Sequence, residues 1–217
     1  MYINKSIQIS CDGGAATGKS TGAKLISKKY KLKFLSSGLL YRYASFLIIK
    51  YKPKNKLEFL KRNFKNLNYN NLQKVNLHTP YVSEHSSLIA KNNSIRKILK
   101  KFQVNFAKKN KNCCIEGRDI STKILPKSDL KFYFKCNLTT AAKRRFNELK
   151  KIEPRIKLNN VKKALRIRNN LDTNRKHSPL LKHRNSIVID TGKLNKQAML
   201  KKMSKYVEKV LLEKYGN

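Results

Sequence analysis

Eight residues constrain this chain more than any others: Gly13-Gly14-Ala15-Ala16-Thr17-Gly18-Lys19-Ser20, which fit the spacing G-x-x-x-x-G-K-[ST]. Glycines at those places let the backbone curl so that successive N–H groups point inward at phosphate oxygens. The lysine then reaches the β and γ phosphates, and the serine hydroxyl is offered to Mg²⁺. Such a loop works only between a strand and a helix. Upstream, Ile7-Gln8-Ile9-Ser10-Cys11 alternates apolar and polar like a short strand; downstream, Thr21 to Tyr30 carries Ala23, Leu25 and Ile26 on one side of a helix. The order strand, loop, helix points to an α/β fold with a nucleoside triphosphate cradled on residues 13–20 and Thr21. A glycine-rich turn that binds nothing is the weaker alternative.

The remaining 217-residue chain repeats that order. Lys33-Phe34-Leu35 reads as a second strand, Ser36-Ser37-Gly38 as a turn and cap, and Leu39 to Tyr51 as a buried helix with Arg42 in its first turn. Residues 52–80 turn rich in Lys, Asn and Leu, with alternations such as Asn66-Leu67-Asn68-Tyr69. They read as a small insertion whose asparagines reflect compositional drift. Val82 to Lys109 reads as one long helical region bearing Ser87 and Arg96, nine residues or two and a half turns apart. A strand, Cys113-Cys114-Ile115, then stops abruptly at Glu116-Gly117-Arg118-Asp119. Another strand covers Leu130 to Cys136. Helices follow over Thr139 to Lys151, with Arg144 and Arg145, and from Leu158 into Arg168, Asp172 and Arg175. A strand at Ser186 to Asp190 and a helix at Leu194 to Tyr215 complete the chain. Strands alternating with helices imply a parallel sheet covered on both faces, and a chain of this length fits one domain.

Composition narrows the function. No run of 18 apolar residues exists and the N-terminus lacks a signal-like apolar stretch, so neither membrane insertion nor secretion is expected. Cys11, Cys113, Cys114 and Cys136 form no C-x-x-C pair, and the four histidines have no metal-ligand spacing. Reduced core cysteines in a cytosolic protein are the expectation. The net charge of +39 would ordinarily suggest a nucleic-acid partner. Most of that charge, however, is lysine spread evenly along the chain, with no basic arm, as expected from drift of the surface. Only 11 of the 51 basic residues are arginine, and only five residues are aspartate. Arginine gives planar, bidentate recognition of phosphate where lysine gives charge, so the positions of these scarce residues are informative.

In open α/β sheets ligands gather at the carboxyl ends of strands, which makes Glu116 to Asp119 a candidate second site. Arg168, Asp172 and Arg175 share a helix face at i, i+4 and i+7. Arg42 at the start of an apolar helix beside a hydroxyl pair suits an anion. Salt bridging alone would also explain the 116–119 turn and the Arg-Asp-Arg triplet, and a snorkelling surface arginine would explain Arg42.

Taken together, the phosphate loop, Ser37 to Arg42, Glu116 to Thr122, and Arg168 to Arg175 followed by Ser178-Pro179-Leu180 resemble the cytidylate kinases of the nucleoside monophosphate kinase group. The likeness runs over nearly the whole chain. It implies a three-layer P-loop kinase fold with a parallel sheet: one kinase domain over 1–217, with 52–82 as an inserted NMP-binding subdomain and about 143–157 as a lid. It implies ATP-dependent phosphorylation of CMP and dCMP with Mg²⁺, by a monomer with no specific nucleic-acid or membrane partner. By position it assigns Ser37, Arg96 and Asp119 to cytosine, Arg42, Arg118 and Arg175 to the CMP phosphate, and Ser87, Arg168 and Asp172 to the sugar. Lys19, Arg118, Arg144, Arg145 and Arg175 would neutralise the transferring phosphoryl group. Ser20 and, through water, Glu116 would hold Mg²⁺, and Asp190-Thr191-Gly192 would lie near adenine. Five of the eleven arginines fall on the positions assigned to the cytosine, phosphate and sugar of the acceptor. The chain departs from the family in having Ser36 where an acid is usual and Gly14 where proline is common, and in a short insertion. Another small-substrate P-loop kinase and a nucleic-acid-binding NTPase are the rival readings.

Overall fold

The computed structural model describes residues 6–216. It divides into two compact units: one formed by the chain up to Phe34 and from Lys111 onward, the other Leu35–Asn110.

The first unit is built on a sheet. Its strands are β1 (Gln8–Gly13), β2 (Lys33–Ser36), β3 (Cys113–Gly117), β4 (Leu130–Lys135) and β5 (Ile187–Asp190), in the order β2-β3-β1-β4-β5. β1 pairs in parallel with β3 and β4, and β4 with β5; Asp12 lies opposite both Gly117 and Tyr133. The central place of β1 explains its sequence. Ile7, Ile9 and Cys11 point into an apolar core with Cys114, Phe132, Phe134 and Ile189, covered by α1 (Lys19–Lys29) and α8 (Lys196–Tyr215). The intervening Ser10 and Asp12, which read as the solvent face of an alternating strand, are also fully buried. They meet the polar turn that follows β3 and Ser128 instead. A second core joins Ala15 of the loop to Ala141, Ala142 and Leu149 of α6 (Leu138–Lys150) and to Val161 and Leu165 of α7 (Leu158–Asn174).

Two glycines are demanded by packing. A Cβ on Gly22, in the first turns of α1, would sit 2.6 Å from the Phe134 ring, and one on Gly13 would collide with the Phe134 carbonyl. The loop helix therefore approaches β4 more closely than any side chain allows.

The second unit is helical: α2 (Ser37–Tyr51), α3 (Lys56–Lys65), a 3₁₀ turn over Tyr69–Lys74, α4 (Pro80–Ile89) and α5 (Asn93–Lys109). Here the sequence reading needs two corrections. The region from Val82 to Lys109 is two helices, because Ala90 ends α4 and the Asn92 side chain accepts the Ile95 N–H to start α5. The second concerns the insertion at 52–80, whose alternations at 66–77 fall on the 3₁₀ turn and the irregular chain beside it and whose asparagines are more than drift. The asparagines there are structural: Asn55 caps α3, accepting from Glu58, and Asn68 caps the 3₁₀ turn. Asn137 and Asn195 likewise cap α6 and α8. Residues 52–82 lie inside a compact unit that also takes in α2, α4 and α5.

The four cysteines are free, Cys11, Cys113 and Cys114 buried in strands. No helix among the described residues is long and apolar enough to cross a membrane.

Candidate active site

The charged groups of the first unit gather where β1 and β3 end. Gly18 takes φ +80° at the N-terminus of α1, the left-handed conformation that turns the loop into the helix, and Ala16 also adopts a positive φ of 56°. The loop is braced from three sides. The Thr17 hydroxyl donates to the Gly14 carbonyl at 3.0 Å, the Ala15 N–H donates to Asn169 Oδ1 on α7 at 3.0 Å, and the Thr191 hydroxyl donates to the Thr17 carbonyl at 2.7 Å. Ser20 is exposed at the first turn of α1, and Thr21 half-buried.

Lys19 is buried and its Nζ lies 3.5 Å from Glu116 Oε2 on β3. Burial, then the neighbouring Arg118, pull the ammonium down to about 8, with Glu116 opposing them. Arg118 follows β3 directly and its Nε donates to Asp172 Oδ2 at 2.7 Å; Arg175 Nη1 donates to Asp172 Oδ1 at 3.2 Å. Arg175 also reaches within 4.0 Å of Asp119. Burial raises the Asp172 carboxyl, but Arg118, Arg168 and Arg175 outweigh it and hold the group below its ordinary value. Lys19, Arg118, Arg168 and Arg175 thus lie together, while the carboxylates among them are already engaged, Glu116 by Lys19 and Asp172 by Arg118 and Arg175. Three guanidinium groups and an ammonium gathered in a largely desolvated place are suited to recognising an anionic ligand.

The turn that carries Arg118 and Asp119 is fixed by a residue absent from the sequence reading. Asp12, fully buried on β1, accepts the N–H groups of Ile120 and Ser121 at 2.8 and 2.7 Å and the Ser121 hydroxyl. Burial pushes the Asp12 carboxyl up while those three donors work to keep it ionised. The signal was available: Asp12 is one of only five aspartates and immediately precedes the loop. Of the two expected lid arginines, Arg144 donates to the Thr191 hydroxyl and carbonyl at 2.9 and 2.7 Å, whereas Arg145 pairs with Glu148 near the surface.

The second unit holds its own expected residues together. Buried Ser37 accepts from Gln103 at 2.7 Å; Arg42 Nε donates to the Ser83 hydroxyl at 3.4 Å, and the Ser87 hydroxyl to the Ser83 carbonyl at 3.2 Å. Arg96 is buried, donates to the Ala90 carbonyl at 3.1 Å and lies over the Tyr41 ring at 5.5 Å. Ser36 accepts the Leu39 N–H as the cap of α2, and its own N–H donates to the Tyr69 hydroxyl at 2.7 Å. Gln103 and Ser83 were missed because both read as ordinary polar helix positions.

A sequence model of the cytidylate kinase family matches residues 9–209. The chain belongs to that family. Proteins named cytidylate kinase are similar to it end to end. That of Bartonella tribocorum is 34% identical over 212 residues, covering 95% of this chain and 97% of its own. Those of Mesomycoplasma hyopneumoniae and Rickettsia africae are 32% and 30% identical, each covering at least 94% of both chains. Among solved structures, an uncharacterised protein from Eubacterium ventriosum aligns with TM-score 0.54 at 14% identity, covering 93% of this chain and 98% of its own. A shikimate kinase from Bacteroides thetaiotaomicron aligns with TM-score 0.53 at 8% identity and the same coverage. These likenesses show the fold, a parallel sheet between helices as in P-loop kinases. The family's sequence match, not the fold, separates a cytidylate kinase from a shikimate kinase.

Proposed function

We infer that the chain transfers the γ-phosphoryl group of ATP to CMP and dCMP, giving CDP and dCDP. The family match over residues 9–209 supports the activity. The observation that carries the site is the Arg118–Asp172–Arg175 cluster beside Lys19 and Glu116.

The acceptor phosphate is already anionic, so the reaction needs no general base; what it needs is alignment and neutralised charge. Lys19 and the loop amides take the ATP phosphates, with Thr191-Gly192 beside the base. Within the first unit, Arg118 and Arg175 take the CMP phosphate. Their present partners, Asp172 and Asp119, hold the guanidinium groups in place. Asp119 accepts the cytosine amino group and Arg168 and Asp172 meet the sugar; the second unit keeps its own nucleotide-binding side chains, Ser37, Arg42, Ser87 and Arg96, in one cluster around Ser83 and Gln103. Arg144 and Arg145 add charge at the transferring group.

The residues suit Mg²⁺: the Ser20 hydroxyl is exposed at the loop's end and Glu116 presents a carboxylate oxygen, while Asp12 is saturated by its three donors. Ser20 would hold the ion directly and Glu116 through water, and the ion would supply further charge neutralisation. The reading includes a cytosolic monomer, which sedimentation of the isolated chain checks for oligomeric state. An acceptor panel with ATP over CMP, dCMP, UMP, AMP and shikimate tests the activity: turnover is expected with CMP and dCMP, and turnover with UMP, AMP or shikimate alone would overturn it.

A further inference from the structure

The loop that grips ATP leaves the sheet at Gly13, which is still paired with Phe134 on β4, so Gly14 is the first loop residue outside the strand, and as glycine it has backbone freedom that must be lost when the phosphates are aligned. The next residue is Ala15. Its side chain is 5% exposed in the core shared by α6 and α7, and its N–H is taken by Asn169 Oδ1 at 3.0 Å. The same carboxamide lies against Gly14, where an added Cβ would sit 3.2 Å from Oδ1 and 3.6 Å from Nδ2. Asn169 therefore closes over both residues at the loop's entry. It stands on α7 directly after Arg168 and one turn before Asp172, the carboxylate that holds Arg118 and Arg175.

We propose that Asn169 is a positioning residue for phosphoryl transfer: by accepting the Ala15 N–H it ties the start of the phosphate loop to the helix that carries Arg168 and Asp172. This rests on the kinase reading above. The tie works through the loop backbone, so it acts on alignment of the donor phosphates more than on binding of the acceptor. An oxygen at this place is all the role requires, which is why aspartate can replace asparagine and alanine cannot.

The test is a set of two variants read in two ways. In Asn169→Ala, amide exchange at Ala15 should accelerate at least tenfold while amides inside α7, such as Leu165, keep the parent's rates. With CMP and ATP, kcat should fall about fivefold to tenfold, the scale of one neutral hydrogen bond, with KM for CMP within threefold of the parent. Asn169→Asp should restore both the Ala15 protection and kcat to within threefold. An Ala15 exchange rate unchanged in Asn169→Ala, or a loss of melting temperature with kcat intact, would overturn the proposal, as would failure of Asn169→Asp to recover turnover. The exchange measurement needs no turnover, so a parent chain inactive on CMP would sink the kinase reading and leave the tie to be judged by Ala15 alone.

Discussion

Lys19 shows how much a single side chain concentrates here. It is buried, and the first cause of its lowered pKa is that burial, followed by Arg118. Its folded value of about 8 lies below the usual 10.5, so the folded chain gives up this proton earlier than the unfolded chain does. The destabilisation from burying the charged form is therefore present in full below about pH 8 and fades as pH rises from there toward 10.5. Phosphate favours the charged ammonium. ATP binding should accordingly take up a proton near pH 8–9, and its affinity should weaken as pH rises through about 8. Calorimetry in buffers of different ionisation enthalpy would show the uptake in the parent and none in Lys19→Arg, which stays charged; equal behaviour of the two would contradict the assignment. Lys19→Ala should lose turnover by roughly 10²–10³ or more, the scale of one preorganised electrostatic donor; turnover within threefold of the parent would exclude Lys19 from the chemistry. Lys19 was legible from the spacing of the loop, and Arg118 because arginine is scarce in a lysine-rich chain. Asn169 was not, since asparagine is common and its partner lies 154 residues away.

Among the elements, strand β1 and helix α1 carry the clearest consequences. Gly22→Ala would press a methyl group onto the Phe134 ring at 2.6–2.8 Å, and overpacking of this kind costs about 1–3 kcal/mol. A fall in melting temperature is expected, with the same pattern of acceptors; an unchanged melt would mean that the helix and strand can part without loss. Asp12→Ala would strand two buried N–H groups and a hydroxyl at the turn bearing Arg118 and Asp119. Both stability and CMP affinity should fall, the first by several kcal/mol since each unsatisfied group costs about 1–3. The strand, loop and helix around Gly13 to Ser20 could be read directly, because motif and hydrophobic period agree there. The break between α4 and α5 could not. Its cap, Asn92, sits inside a stretch where Ile89, Ile95 and Leu99 keep the chain apolar enough to pass as continuous helix. Nor could the partners of Asp12, since a contact 108 residues distant leaves no local pattern.

For the whole molecule the net charge of +39 predicts salt-sensitive attraction to any polyanion. Binding to a single-stranded RNA should be measurable at low ionic strength and fall steeply with salt, yet it should not stimulate ATP hydrolysis. Stimulation by RNA would favour the rival nucleic-acid-dependent NTPase. The parallel sheet was legible from alternating strands and helices. The division at Leu35 and Asn110 was not, because Leu35 falls inside β2 and Asn110 directly ends α5, so neither boundary carries a linker signal. What we propose distinguishes this chain from other P-loop proteins is the set of arginines and aspartates around Arg118, above all Asp119, assigned to the cytosine. Kinetics of Asp119→Ala with each substrate varied in turn test that directly. KM for CMP should rise at least tenfold with KM for ATP within threefold of the parent, and equal losses for both nucleotides would remove Asp119 from the base pocket.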